Sequence, residues 1–158
     1  MAVSALGGCP NPPTASKPSA PSAETPPVTT AVVVFSPSTG APPWPVNVEV
    51  ARTSDELMRG LMYRRELGVN SGMLFIFPGE DIRRFWMRNT LIPLDMVFLD
   101  SQRVVVGIEE NAVPHDDTSR GPDTPAQYVV EVRGGAAKQH GLSVGAHAEF
   151  RNLGRNPE

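Results

Sequence analysis

The sequence predicts a mainly β fold, one sandwich or barrel carrying one or two short helices. Between residues 46 and 150 the apolar residues come in short runs separated by Pro, Gly, Asp and Asn, the spacing of short strands joined by turns. Only residues 53–56 carry a full helix-start signature. Setting aside the Pro-rich N-terminal stretch leaves roughly a hundred residues, enough for one modest core.

Eleven of the seventeen prolines lie between Pro10 and Pro45, among Ala, Ser and Thr and only two charged residues, Lys17 and Glu24. That composition reads as an extended, disordered tether over residues 1–44, with the β-branched run 32–35 as a stray strand within it. The domain then spans 45–151, followed by a polar tail at 152–158. Val46, Val48 and Val50 alternate with Asn47, Glu49 and Ala51, a half-buried strand. Thr53 and Glu56 make a capping box, so a helix begins near Ser54 with Leu57, Met58, Leu61 and Met62 as its apolar stripe. Gly60 costs such a helix about 1 kcal/mol relative to alanine, which implies that something approaches it closely. Residues 73–77 form an apolar strand that Pro78-Gly79 should end. Residues 85–88, 94–99 and 104–108 complete an antiparallel set, with a hairpin loop at 100–103. Residues 111–125 read as a long polar loop, 128–132 as a strand, 135–140 as a short helix stopped by Gly141, and 147–150 as the last strand.

The densest segment is Phe85-Trp86-Met87-Arg88-Asn89-Thr90-Leu91-Ile92-Pro93-Leu94-Asp95. Ile92, Leu94, Met96 and Phe98 share one face of a period-two strand, which puts Asp95 with Val97 and Leu99 on the other. A carboxylate on an apolar face is costly unless a cation or several donors hold it. Arg59 and Arg64, on the adjacent motif, are its expected partners.

In order, Val48-Glu49-Val50-Ala51-Arg52-Thr53, Arg59-Gly60-Leu61-Met62-Tyr63-Arg64, Gly72-Met73-Leu74-Phe75-Ile76-Phe77, Phe85-Trp86-Met87-Arg88-Asn89-Thr90 and Ile92-Pro93-Leu94-Asp95 resemble the signature of the domain-of-unknown-function 192 family. The resemblance continues at Tyr128-Val129-Val130-Glu131-Val132 and at 134–145, and covers about 46–150. It implies a compact jelly-roll-like β fold, often in an exported or anchored protein, and no established activity. Ala146 departs from the pattern, which usually has an acidic residue there.

Net charge is −3 and the basic residues are dispersed, which argues against a nucleic-acid partner. Arg83, Arg84 and Arg88 read as charge defending a strand edge. No apolar run is long enough to span a membrane. Cys9, after Ala5-Leu6-Gly7-Gly8, resembles a bacterial lipoprotein cleavage box and is the expected lipidation site. Residues 1–8 lack the basic and apolar regions of an export signal, so this expectation requires a start upstream of Met1. A lipid anchor would be the sole membrane attachment, placing the protein in the bacterial cell envelope.

The candidate ligand-binding residues are Arg59, Arg64, Trp86, Asn89, Thr90, Asp95 and Glu131. Guanidiniums, an amide, a hydroxyl and carboxylates together suit a glycan, a peptide or a small anionic molecule, with Trp86 as a stacking platform. The five methionines at 58, 62, 73, 87 and 96 read as core rather than as a soft-metal site. His115, His140 and His147 lack ligand spacing. No metal or cofactor is expected, and a monomer is. The reading is an envelope-anchored binding or accessory module of unestablished activity, more a binder than an enzyme. The alternative is a small hydrolase using Asp95 and Glu131 as its carboxylate pair.

Overall fold

The computed structural model describes residues 31–154, so Cys9 and its cleavage box lie outside the described residues. Seven strands form one sheet: β1 (Ala31–Ser36), β2 (Trp44–Ala51), β3 (Ser71–Asp81), β4 (Leu94–Leu99), β5 (Val105–Ala112), β6 (Ala126–Arg133) and β7 (His147–Arg151). Helix α1 (Ser54–Arg59) joins β2 to β3, and α2 (Ala136–Gln139) follows β6. The spatial order is β5-β4-β6-β3-β2-β1-β7. All neighbours are antiparallel except β2 and β3, whose parallel pairing needs the crossover that α1 supplies.

The sheet curls into a half-barrel until its two ends touch. An isolated bridge pairs Val104 with His147, and beside it the Val105 N–H donates to the Ala146 carbonyl at 2.8 Å. The enclosed face draws residues from all seven strands, including Val33, Phe35, Trp44, Val46, Leu74, Val97 and Val130. The opposite face carries Met73, Phe75, Met87, Leu94, Met96, Phe98 and Val129. Every residue of β4 is buried because both faces are covered. The sequence-level split of this strand is therefore correct: Leu94, Met96 and Phe98 face one core, Val97 and Leu99 the other.

Several boundaries differ from the sequence expectation, each for a local reason. The run 32–35 is no stray strand in a tether, because β1 pairs with both β2 and β7 and buries Val33 and Phe35 completely. Pro78 and Gly79 do not end β3, which reaches Asp81 through an irregularity between Ile76 and Asp81; such a break removes the demand for a ladder N–H at proline. Residues 85–88 are not a strand. Phe85 makes one bridge to Arg120, Asn89 turns the chain at φ 55°, and the segment lies over the sheet rather than in it. β5 continues to Ala112, beyond the expected 104–108. The capping box forms as read, with the Glu56 N–H donating to Thr53 Oγ1 and Glu56 accepting from the Thr53 N–H at 2.9 Å. α1 nevertheless stops at Arg59, because Gly60 leaves the helix at φ 47°. The expected apolar stripe is therefore broken: Leu61 is buried, whereas Met58 is 70% exposed.

Candidate functional site

Asp95 sits on the enclosed face and is fully buried, as its place on an apolar strand face requires. Its partners are not the expected arginines. Oδ1 accepts from the Asn111 and Gly135 N–H groups at 2.7 and 2.8 Å, and Oδ2 from the Ala137 N–H at 2.8 Å. Arg64 instead pairs with Glu49 on β2. Three aimed amides replace the cation and tie the end of β5 and the start of α2 to the middle of the sheet. Asp95 is a clamp between elements.

Glu131 lies one register step away on β6, beside Met96 of β4 and Met73 of β3, and it points to the opposite face. It is 5% exposed. Among the described residues no hydrogen bond reaches its carboxylate, and neither oxygen is sealed from the surface. Both facts follow from its place in the lining of a cleft of about 390 Å³. Burial alone pushes its pKa from the ordinary 4.5 up to about 8. At neutral pH the group is chiefly a neutral carboxylic acid, able to donate or accept a hydrogen bond.

The cleft is built from three pieces. Phe75 and Phe77 of β3 join Glu131 in its lining. Leu57, Met58 and Arg59 of α1, with Gly60 to Met62 after it, form one wall; Ile82 to Trp86 and Thr90 form the other. Phe85 holds the second wall down, with its ring edge-on to Phe75 at 5.3 Å and to Phe98 at 5.8 Å. The walls are tied at one end by the Tyr63 N–H donating to the Asn89 carbonyl at 2.8 Å. Gly60 is the close approach its sequence position implied. A Cβ there would lie 3.0 Å from Phe75 Cζ and 3.6 Å from Glu131 Oε2.

Of the seven candidate residues, the structure gathers Arg59, Trp86, Thr90 and Glu131 around this cleft. Trp86 is 45% exposed, as expected for a platform, although the Arg88 guanidinium stands over its ring at 4.3 Å. Thr90 is buried, its Oγ1 donating to the Arg88 carbonyl at 3.3 Å. Asn89 contributes its backbone, Arg64 is paired with Glu49, which shares Glu131's face of the sheet but stands outside the cleft lining, and Asp95 faces the other side of the sheet. The two carboxylates needed by the hydrolase reading are thus separated by the sheet. Sequence reasoning missed the aromatic lining of Phe75, Phe77 and Phe85 and gave Arg83 and Arg84 to a strand edge. Both arginines border the cleft and are held internally, Arg83 by the Gly79 and Ala126 carbonyls at 2.6 and 3.2 Å, Arg84 by Asp123. The signal for the site was an acid inside Tyr128-Val129-Val130-Glu131-Val132, the same kind that marked Asp95.

A curled seven-stranded sheet with a helix–loop and a long arm enclosing a cleft over one face defines a small β domain with a ligand-sized hollow. The chain belongs to the DUF192 family, described as Uncharacterized ACR, whose profile matches residues 37–150. It is 41% identical to a protein of unknown function from Novosphingobium aromaticivorans DSM 12444, over 75% of this chain and 83% of that one, with a TM-score of 0.71. It is 36% identical to a protein of Sinorhizobium meliloti 1021 described as "a putative transcription regulator", over 77% and 93%, with a TM-score of 0.74. No curated protein matches the chain.

Proposed function

We propose that this chain is a ligand-binding module of the bacterial envelope, an accessory domain held by a lipid on Cys9, and that it takes its ligand in the Glu131 cleft. The observation that carries this reading is the buried carboxyl itself. A carboxyl only 5% exposed is costly to keep charged, and a group strongly perturbed by burial in a cleft is a candidate for binding or chemistry. The mixed lining supports the same reading, because apolar walls with a few convergent polar groups are what small-molecule sites present. A carboxylate-pair hydrolase has no such support, since Asp95 is spent on three backbone amides.

The test is a thermal-shift screen of the full chain against cell-wall glycans, muropeptides and small amphiphiles, repeated with Glu131→Gln and Trp86→Ala. A ligand that binds only the folded state raises the melting temperature in proportion to RT ln(1 + [L]/Kd). The expected result is a compound that stabilises the parent and loses most of its effect in Glu131→Gln. A hit that stabilises both variants as well as the parent places the site elsewhere and overturns the reading.

A further inference from the structure

Four features of the cleft narrow what fits it. Its carboxyl makes no hydrogen bond with the described residues and opens onto the cleft, so an occupant that displaces solvent there must replace the hydrogen bonds water would make. The lining beside that carboxyl is apolar and aromatic, with Phe75 within van der Waals reach of Gly60 and edge-on to Phe85. The flanking side chains on the sheet, Met73 and Met96, carry no charge. The ionisable groups of the surrounding walls are Arg59 of α1 and Arg83 and Arg84 of the arm, and none of them perturbs Glu131, whose pKa is moved by burial alone. Arg83 and Arg84 are committed to acceptors within the chain, whereas the side chain of exposed Arg59 makes no hydrogen bond or ion pair among the described residues.

We infer that the cleft receives a primary ammonium on an unbranched apolar stem, the ammonium seated on Glu131 and an anionic group at the other end of the stem meeting Arg59. This rests on the proposed cleft reading and gives it a ligand class, that of ω-amino acids and lysine-like side chains. An ammonium supplies three donors to a carboxylate that has none. The charge-assisted pair in a water-poor site is stronger than a neutral hydrogen bond. An alcohol meets only the hydrogen-bonding need. A carboxylate brought to the same spot brings no donor and meets repulsion once Glu131 ionises.

Seating the ammonium requires Glu131 to be ionised. Below a pKa of about 8 the carboxyl is protonated before binding, so its proton leaves to solvent as the –COO⁻···⁺H₃N– pair forms. Calorimetry of the full chain at about pH 6, in two buffers of different ionisation enthalpy, counts that proton. The probes are n-hexylamine, ε-aminocaproate, n-hexanol and hexanoate. The expected result is that the two amines bind with release of close to one proton, that hexanol and hexanoate bind more weakly, and that Glu131→Gln lowers amine affinity by at least about tenfold. Arg59→Ala should weaken ε-aminocaproate while leaving n-hexylamine unchanged. Hexanol binding as well as hexylamine, without proton release but lost in Glu131→Gln, would overturn the ammonium assignment and leave the cleft reading standing. Amine binding that survives Glu131→Gln unchanged overturns the assignment outright. No binding of either amine also overturns it, and the cleft reading then stands or falls on the separate screen above.

Discussion

Glu131 and Asp95 stand one register step apart on neighbouring strands, and the sheet between them gives each carboxyl a different life. Asp95 meets three backbone donors, which stabilise its charge and leave it no role toward a ligand. Glu131 meets none among the described residues, and burial leaves it chiefly a neutral acid at neutral pH. Replacing Asp95 with alanine strands three N–H groups that the carboxylate had satisfied, at a cost of roughly 3–5 kcal/mol. Asn is no rescue, because its amide would turn donors toward the Ala137 or Gly135 N–H. Urea melts of both variants should show large losses of stability; Asp95→Asn matching the parent would dismiss the clamp. Glu131 makes stability depend on pH. Folding raises its pKa from 4.5 to about 8, so between those values the native chain holds a proton the unfolded chain has lost. The stability from this group is fully present below about pH 4.5 and disappears as pH rises through 8, on the order of 1.4 kcal/mol per unit within that window. Glu131→Gln cannot ionise and should flatten that slope, as denaturant midpoints between pH 5 and 9 would report. The need for help at Asp95 was legible from the strand period alone. Its source was not, since the donors come from loops at 111 and 135–137 whose approach no local pattern encodes.

At the level of elements, the short helix and the arm over the sheet owe their shapes to single residues. The Thr53–Glu56 box was readable because a capping box is a local signal, complete within four residues. The helix end was not read, although Gly60 was flagged. A glycine inside an apolar pattern looks like a tolerated cost until the positive φ is seen. Gly60→Ala places a methyl against Phe75 and near Glu131 in a backbone conformation that disfavours side chains. It should cost about 1–3 kcal/mol and abolish ligand-induced stabilisation together, whereas Met58→Ala, at an exposed neighbour, should change stability by less than about 0.5 kcal/mol. If Gly60→Ala melts like the parent and binds equally well, the cleft is not as tight as its lining implies. Residues 85–88 of the arm were misread as a strand for a related reason. Trp86 exposed beside buried Met87 reproduces a period of two, but the partner that makes a strand is absent, and its hydrogen bonds run to the loop at 115–120 instead.

For the whole molecule, closure of the sheet is the feature furthest from local sequence. The family profile begins at residue 37 and the composition break falls near 45, so both place the domain start after β1. Yet β1 lies between β2 and β7, with five register pairs to each, and it carries Val33 and Phe35 into the enclosed core. A four-residue run at 32–35 flanked by prolines gives no hint of such a position, because one of the two strands that recruit it lies more than a hundred residues away. Removing β1 exposes the inner side of Trp44, which stacks on Phe35 at 5.4 Å, and leaves β7 attached chiefly through the Val104–His147 bridge. Losing two fully buried large side chains costs about 1.5–3 kcal/mol each before any ladder hydrogen bond is counted, against a total stability on the order of 5–15 kcal/mol. A chain beginning at Trp44 should therefore fail to fold or melt far below the parent. One beginning at Thr29, which keeps β1 and discards most of the Pro-rich stretch, should match the parent by circular dichroism. Equal melting of the two truncations would mean that β1 is dispensable and that the half-barrel closes without it.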